Sequence, residues 1–366
     1  MWTLAAWLHD IDPFIWHISG NFGIRWYGAA YLLGFALGYL ILRHLAKRER
    51  IRLKPEQVGD FVMAIVVGVL VGGRLGSVLL YNPDLLWTID ASPPWWGVLA
   101  INRGGMASHG GMVGCLLGCW WFSRRHGVPL FQLADLVTFV APIGLGAGRL
   151  ANFINGELLG RPLAEGETLP WAVKFPQEMS TYWANPPKYF EPELLDKLEP
   201  FCRQYGGVTE AEWRQALLQP QTDWAISTMY RLSENLTEAI QRGEQKVVEI
   251  VEPLLAARHP SQLYQALAEG LIVGLVLWLV WMKPRCGGVV TGWFLIVYGI
   301  LRIVTEHWRL PDANLQMQRI LGLSRGQLYS VPLIAAGALL LWYAVRKGAK
   351  HGGWWRGEAN RAVPTT

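Results

Sequence analysis

Seven long apolar stretches bound what this chain can fold into. They fall at roughly residues 27–45, 57–80, 106–122, 131–155, 261–282, 288–307 and 329–346. A helix needs about 20 apolar residues to cross the hydrocarbon layer of a bilayer, and several of these stretches approach that length. A soluble chain of 366 residues would form two or three domains. Here the stretches predict an all-α membrane protein of about seven transmembrane helices. Residues 1–162 hold an N-terminal interfacial segment and the first four spans. Residues 163–257 form a polar insertion, residues 258–350 the last three spans, and residues 351–366 a tail.

The basic residues give the orientation. Arg43, Lys47, Arg48, Arg50, Arg52 and Lys54 follow the first span, and Arg124 and Arg125 the third. Lys283 and Arg285 follow the fifth, and Arg346, Lys347, Lys350 and Arg356 the seventh. Basic loops stay in the cytoplasm, so the N-terminus is expected outside and the C-terminus inside. The alternate loops agree: residues 81–100 carry no Lys or Arg, and residues 163–257 hold 15 acidic against 8 basic residues. That insertion reads as an outer polar head. Helices are expected at 193–205 and 209–218, and one over 224–250 with Ser227 or Thr237 as local breaks. The net charge of +5 is spread by topology, not as a nucleic-acid footprint. No Lys or Arg precedes Arg25, so a cleavable signal peptide, which needs a charged leader, is not expected. Trp2, Trp7, Trp16 and Trp26 suit an interfacial segment. Cys115 and Cys119 share a helical face as packing residues, and Cys202 stands alone in its loop, so no disulfide framework is expected.

Glycines recur every four residues at Gly68, Gly72 and Gly76, at Gly110, Gly114 and Gly118, and at Gly144 and Gly148. Such spacing lets helices approach closely in lipid, or in places opens room for a lipid chain. Ionisable residues inside spans are costly and usually face a cavity. Arg74, His109, Arg149, Glu269, Arg302 and Glu306 all fall within spans or at their ends. Followed along the direction of each span, every one lands in the outer half. A transporter needs polar groups along its whole path, usually with a midplane site. A chamber open only to the outer leaflet suits a lipid-modifying enzyme, with a phospholipid-binding transporter or receptor as the alternative.

The segment Gly148-Arg149-Leu150-Ala151-Asn152-Phe153-Ile154-Asn155-Gly156-Glu157-Leu158-Leu159-Gly160 resembles the signature of prolipoprotein diacylglyceryl transferases. Other stretches resemble the same family in the same order: Arg25-Trp26-Tyr27-Gly28, Gly72-Gly73-Arg74-Leu75-Gly76, and Gly104-Gly105-Met106 leading to His109-Gly110-Gly111. Arg258-His259-Pro260-Ser261-Gln262-Leu263-Tyr264 follows, then Tyr298-Gly299 through Arg302 and Glu306 to Arg309, Pro311 and Asp312. The likeness covers roughly residues 20–345 outside the insertion, which is longer than in typical members. Asn102-Arg103, Ala107-Ser108 and Ser77 depart from the family pattern. The resemblance implies a multi-pass enzyme of the bacterial inner membrane with its N-terminus and active site toward the periplasm. Its donor would be phosphatidylglycerol among the membrane lipids, and its acceptor the lipobox cysteine of a prolipoprotein signal peptide. No nucleic acid, metal or other cofactor is implied.

Displacement at carbon by sulfur, with a phosphate leaving, sets three needs. The phosphate must be held, which planar guanidinium groups do well. The family pattern supports Arg149 and Arg302 for this, unless one of them only pairs with Glu157 or Glu306. Arg302 and Glu306 share a helix face, so Glu306 could orient Arg302. The thiol must lose its proton, because thiolate is the nucleophile. His109 is the best base, although it could hold a hydrogen bond without taking the proton, which could instead leave through water or the phosphate. Both substrates must also be aligned away from water. Tyr27 and Tyr298 are candidates for the glycerol headgroup. Asn152 and Asn155 lie along one helical face. Arg74, Glu157, Gly160 and Tyr264 complete the expected substrate-binding set.

Overall fold

The computed structural model describes residues 6–19, 22–91, 93–100, 104–185, 189–310, 324–347 and 350–352. Trp2, Asn102, Arg103, Pro311 and Asp312 lie outside the described residues, as does most of the C-terminal tail. In chain order the elements begin with strands β1 (Trp7–Leu8), β2 (Phe14–Ser19) and β3 (Phe22–Arg25). Helices α1 (Trp26–Lys47), α2 (Gln57–Tyr81), α3 (Ser108–His126) and α4 (Leu130–Ile154) follow. The insertion holds β4 (Val173–Lys174), β5 (Ala184–Asn185), β6 (Tyr189–Phe190), α5 (Pro192–Asp196), α6 (Glu210–Leu218), α7 (Asp223–Gln241) and α8 (Gln245–Val251). After β7 (Ala257–Arg258) come α9 (Ser261–Gln265), a π-helical stretch Ala266–Ile272 and α10 (Val273–Trp281). The chain continues through β8 (Arg285–Cys286), α11 (Val289–Thr305), α12 (Arg325–Lys347) and β9 (Lys350–Gly352).

Among the described residues six helices are long and apolar enough to cross a membrane: α1, α2, α4, the continuous run Ser261–Trp281, Val289–Trp308 and Gly326–Arg346. The protein reads as an integral membrane protein. The third predicted span forms as α3 but falls outside this set. Four glycines, Ser108, His109 and the terminal Arg124 and Arg125 dilute its apolar character. The expectation of an all-α chain misses the short strands, which are two to six residues long and too short to carry a readable alternation.

The chain divides into two compact units. One comprises Met1–Leu33, Gly144–Ile272 and Tyr298–Pro332; the other comprises Gly34–Ile143, Val273–Val297 and Leu333–Thr366. The second unit is organised by a glycine seam. A Cβ on Gly114 would lie 1.8 Å from the Gly68 carbonyl oxygen, and one on Gly72 would lie 2.3 Å from that of Gly110. Gly118 meets the Ala64 carbonyl in the same way at 2.7 Å. The first two glycine stripes therefore bring α2 and α3 into backbone contact. The third differs: Cβ atoms on Gly144 and Gly148 would meet nothing within 4 Å, whereas Gly146 approaches the Gly270 Cα. Buried Asp135 fixes the start of α11 by accepting from Gly288 N (2.8 Å), Thr291 N (2.8 Å) and Thr291 Oγ1 (2.7 Å). A side-chain oxygen of α4 thus satisfies amides that the first turn of a helix leaves open.

The first unit contains the insertion, which has its own apolar core around Phe175, Met179, Trp183, Trp213, Met229, Leu232 and Leu236. Burying each of these large side chains contributes roughly 2–3 kcal/mol. Helix α6 starts at a capping box in which Thr209 and Glu212 bond each other's backbone amides. The expected helix over 224–250 is two helices, broken at Arg242–Glu244 where Gly243 has φ +77°. Ser227 and Thr237 do not break it, because their hydroxyls donate to the carbonyls of Asp223 (2.6 Å) and Ser233 (2.9 Å) one turn back. The stretch 193–205 winds as α5, a 3₁₀ turn and a π turn instead of one helix, with Pro200 interrupting it.

The N-terminal segment docks on this core as a strand. β1 pairs in parallel with β4, which pairs antiparallel with β7. His9 follows β1 and is completely buried, with its ring 5.6 Å from Trp7, 5.4 Å from Phe153 and 5.1 Å from Phe175. Neither ring nitrogen has a hydrogen-bond partner among the described residues. Burial lowers its pKa from 6.5 to about 4. The sign follows directly. Above pH 6.5 the ring is neutral folded or unfolded. As the pH falls toward 4 the unfolded chain binds the proton first, so docking weakens by about 3 kcal/mol in all. His9→Phe is expected to abolish this acid sensitivity, read as hydrogen-exchange protection of the Trp7 and His9 backbone amides between pH 7 and pH 4.5. Protection that falls equally in both proteins would remove His9 as the cause.

Candidate active site

The end of α4 sets out the first residues. Arg149 and Asn152 lie on its last turns, Asn155 follows its last residue at the same three-residue spacing, and Gly156 turns the chain with φ +65°. Leu158, also at positive φ (55°), turns the chain back. Glu157 then folds onto the helix end, accepting from Asn152 Nδ2 at 2.9 Å and from Asn155 Nδ2 at 3.3 Å. The three polar residues that were expected to line a substrate pocket therefore hold one another, with Gln262 Nε2 donating to the Glu157 carbonyl at 2.6 Å.

Gly160 is a crossing point of three segments. A Cβ there would lie 1.9 Å from the His259 carbonyl oxygen. Its own carbonyl accepts from Arg258 Nη1 (3.0 Å), and Arg258 is buried in an ion pair with Glu178 (2.8 Å). Flanking backbone bonds, Leu310 N to Leu159 O and Arg161 N to Trp308 O, bring the residues after α11 against this loop. Gly160 thus serves by having no side chain.

These contacts assemble an alternating ladder of charge. Arg149 donates to Glu269 through Nε (2.9 Å) and Nη2 (3.3 Å). Arg302 Nη1 lies 3.7 Å from the same carboxylate, and its Nη2 lies 3.1 Å from Glu306. Arg309 Nη1 is 3.7 Å from Glu306, which also accepts from Ser324 Oγ at 3.1 Å. Tyr298, one turn before Arg302, adjoins Arg149 and Glu269. Gly326 lets α12 begin against the Glu306 carboxylate, where a Cβ would lie 2.8 Å away. Three guanidinium groups against two carboxylates leave one surplus positive charge. The side chains of Glu269 and Glu306 are 0% and 8% exposed, whereas those of Arg149 and Arg302 keep 17% and 12%. Nη1 of Arg302 makes no hydrogen bond among the described residues. The carboxylates are thus the better buried partners, and donor capacity remains on the guanidinium side.

The family model for prolipoprotein diacylglyceryl transferase matches residues 13–343. The phosphatidylglycerol–prolipoprotein diacylglyceryl transferase of Bdellovibrio bacteriovorus is 42% identical over 354 residues, covering 96% of this chain and 98% of the relative. That of Bradyrhizobium diazoefficiens is 33% identical over 340 residues, with 90% of each chain covered. That of Pseudomonas paraeruginosa is 34% identical over 340 residues, covering 93% of this chain and 96% of the relative. The chain belongs to the prolipoprotein diacylglyceryl transferase family.

In this family member the first unit brings together Arg149, Arg302, Glu306 and Tyr298 from the expected set. Arg149 pairs with Glu269, not with Glu157. Tyr27 packs its ring 5.2 Å from that of Tyr31, a residue not singled out from the sequence. Tyr264 is already engaged: its hydroxyl accepts from Trp171 Nε1 at 2.9 Å and lies 3.3 Å from His259 Nδ1. His259 Nε2 in turn lies 3.1 Å from Glu167. Burial holds the His259 imidazole below its ordinary pKa. A neutral ring then donates from Nε2 to Glu167 and accepts at Nδ1 from Tyr264, leaving the tyrosine oxygen for the indole.

Arg74 and His109 belong to the second unit. Buried Arg74 spends four N–H donors on backbone carbonyls: Val98 (2.7 Å), Gly97 (2.6 Å), Gly104 (2.6 Å) and Gly105 (3.1 Å). It clasps the loop between α2 and α3. His109 is exposed in the first turn of α3 and borders an apolar groove with Gly76, Leu80 and Val113. Glu269 was noted from the sequence only as an ionisable residue in a span, although it is the centre of the ladder. Its π-helical setting, a backbone feature frequent at functional sites, has no signature in residue types.

Proposed function

We propose that this protein transfers the diacylglyceryl group of phosphatidylglycerol to the lipobox cysteine of prolipoproteins. It does so in the bacterial inner membrane, through seven spans with α3 as the third, and with the ladder and the head toward the periplasm. The cysteine sulfur forms a bond to the glyceryl carbon as the carbon–oxygen bond to phosphate breaks, and glycerol phosphate leaves. The observation that carries this reading is the surplus guanidinium charge of the ladder, with donor capacity left on Arg302. Phosphate oxygens gain charge as the bond breaks, and a preorganised cation offsets that gain without reorganising. Arg302 and Arg149 hold the phosphate, while Glu269 and Glu306 fix the guanidinium planes. Tyr27, Tyr298, Asn152, Asn155 and Glu157 surround the headgroup. His109 takes the thiol proton, and the apolar groove that it borders suits a lipid chain.

The test mixes purified protein, phosphatidylglycerol and a lipobox peptide. A mass gain of one diacylglyceryl unit on the cysteine is expected. Lipid movement between vesicle leaflets with no such gain would favour a transporter. His109→Asn keeps a hydrogen bond but removes the base, so the rate is expected to fall about 10²- to 10⁴-fold. An unchanged rate would exclude His109 as the base.

A further inference from the structure

The ladder joins segments far apart in the chain: α4 carries Arg149, while α11 and the turn after it carry Arg302, Glu306 and Arg309. What holds them in register comes from the insertion, which lies in the same compact unit. Phe153, near the end of α4, and Leu310, next to Arg309, both pack against the insertion's apolar core, and Leu159 is part of that core. The backbone continues the join. Gly160 faces Arg309 as an antiparallel bridge partner, and Pro162 faces Arg258 in the same way. Leu163 N donates to Ala257 O at 2.8 Å, and His259 N to Arg161 O at 3.1 Å. The loop after α4 is thus the middle of three adjoining segments, with the ladder's Arg309 on one side and β7 on the other.

One side chain ties these segments to the core. Arg258 and Glu178 are each 4% exposed. Arg258 donates to Glu178 Oε2 through Nε (2.8 Å) and to the Gly160 carbonyl through Nη1 (3.0 Å). Glu178 is fixed from its other oxygen, which accepts from Nε1 of the core residue Trp183 at 3.2 Å. The Tyr182 ring lies 5.3 Å from the guanidinium carbon. A buried ion pair adds little net stability over apolar side chains, because desolvation offsets its attraction. Its planar fork does supply direction, since one rigid group spans a carboxylate and a carbonyl. We propose that Arg258 is a positioning residue for the transfer reaction. Anchored by Glu178, it holds the Gly160 segment, and through it Arg309 and Glu306, in the register that the phosphate clamp needs. The insertion thereby acts as the template of the ladder. Arg258 touches no reacting atom, and the inference rests on the transferase reading given above.

The experiment compares the full chain with Arg258→Lys and with Arg258→Gln/Glu178→Gln. Lysine keeps a positive charge beside Glu178, but its shorter chain gives up the Gly160 carbonyl. The double variant replaces the ion pair with neutral amides and keeps an acceptor for the Trp183 indole. Two quantities are read on each protein: kcat with phosphatidylglycerol and a lipobox peptide, and backbone hydrogen exchange. Small displacements at a reacting centre are costly, so kcat is expected to fall about 10- to 100-fold in both variants. The Leu310 and Arg161 amides donate across the crossing, to Leu159 O (3.0 Å) and Trp308 O (2.9 Å). Their exchange should quicken at least about tenfold, while the amides of α7 stay protected and show that the insertion remains folded. A purely structural Arg258 would leave kcat of the folded protein unchanged, and that result in Arg258→Lys would overturn the proposal. So would a fall in kcat with Leu310 and Arg161 exchanging as in the wild type. If Arg258→Lys does not fold, the same two readings on the double variant decide. Wild-type protein that makes no product would count against the transferase reading instead, and the exchange measurement still tests the link from Arg258 to the crossing.

Discussion

Arg302→Gln is expected to reduce diacylglyceryl transfer by about 10²- to 10³-fold while the protein stays folded, the loss typical of one preorganised donor at developing negative charge. Stability survives because each carboxylate keeps a second partner. Glu269 retains Arg149 at 2.9 Å, and Glu306 retains Ser324 Oγ at 3.1 Å and Arg309 at 3.7 Å. Arg149→Gln should differ. It leaves fully buried Glu269 with Arg302, 3.7 Å away, as its ion-pair partner among the described residues, and stripping one partner from a buried pair costs about 3–5 kcal/mol. The double variant Arg149→Gln/Glu269→Gln removes the stranded charge and should recover most of that stability without recovering turnover. Product mass and thermal midpoint, measured on all four proteins, separate the two effects. If Arg302→Gln turns over normally, or if the double variant regains activity, the ladder acts as a structural brace and the phosphate lies elsewhere.

The parts of this picture legible in the sequence are those that depend on residue type and spacing. Apolar length predicted the helices, and α1, α2 and α4 begin and end within a few residues of the expected spans. The four-residue glycine period predicted the α2–α3 seam, because only the absence of a Cβ permits that approach. The i, i+4 spacing of Arg302 and Glu306 predicted their pairing. What escaped is what depends on the partner brought in from a distant segment. Arg74 is an ionisable residue inside a span, the usual mark of a site, but its partners are backbone carbonyls of the following loop, and carbonyls have no identity in a sequence. Asn152, Asn155 and Glu157 carry the right chemistry for a headgroup, and the sequence does not reveal that the positive-φ turn at Gly156 and Leu158 also folds them onto each other. Gly144 and Gly148 carry the same spacing as the seam glycines and face open space, so the period alone does not distinguish contact from clearance.

That distinction sets up the second large effect. Gly114→Leu is expected to prevent stable folding, whereas Gly144→Ala should be close to neutral. At Gly114 the first added carbon would lie 1.8 Å from the Gly68 carbonyl oxygen and 2.6 Å from its carbonyl carbon. Those atoms are backbone on a facing helix, so no rotamer change relieves the clash. Only separation of α2 and α3 would, and that opens the neighbouring contacts at Gly72, Gly76 and Gly118 together. Overpacking of this kind costs at least about 3 kcal/mol, a large share of the net stability of a folded domain. Because Gly68 is already the smallest residue, no substitution there can compensate, unlike an ordinary clash between side chains. At Gly144 nothing lies within 4 Å, and alanine favours the helix by up to about 1 kcal/mol. The check is the fraction of each variant that remains monodisperse in detergent, together with its thermal midpoint. A well-folded Gly114→Leu protein with the wild-type midpoint would mean that α2 and α3 do not touch through their backbones. The loop clasped by Arg74, and the position of His109 at the head of α3, would then need another explanation.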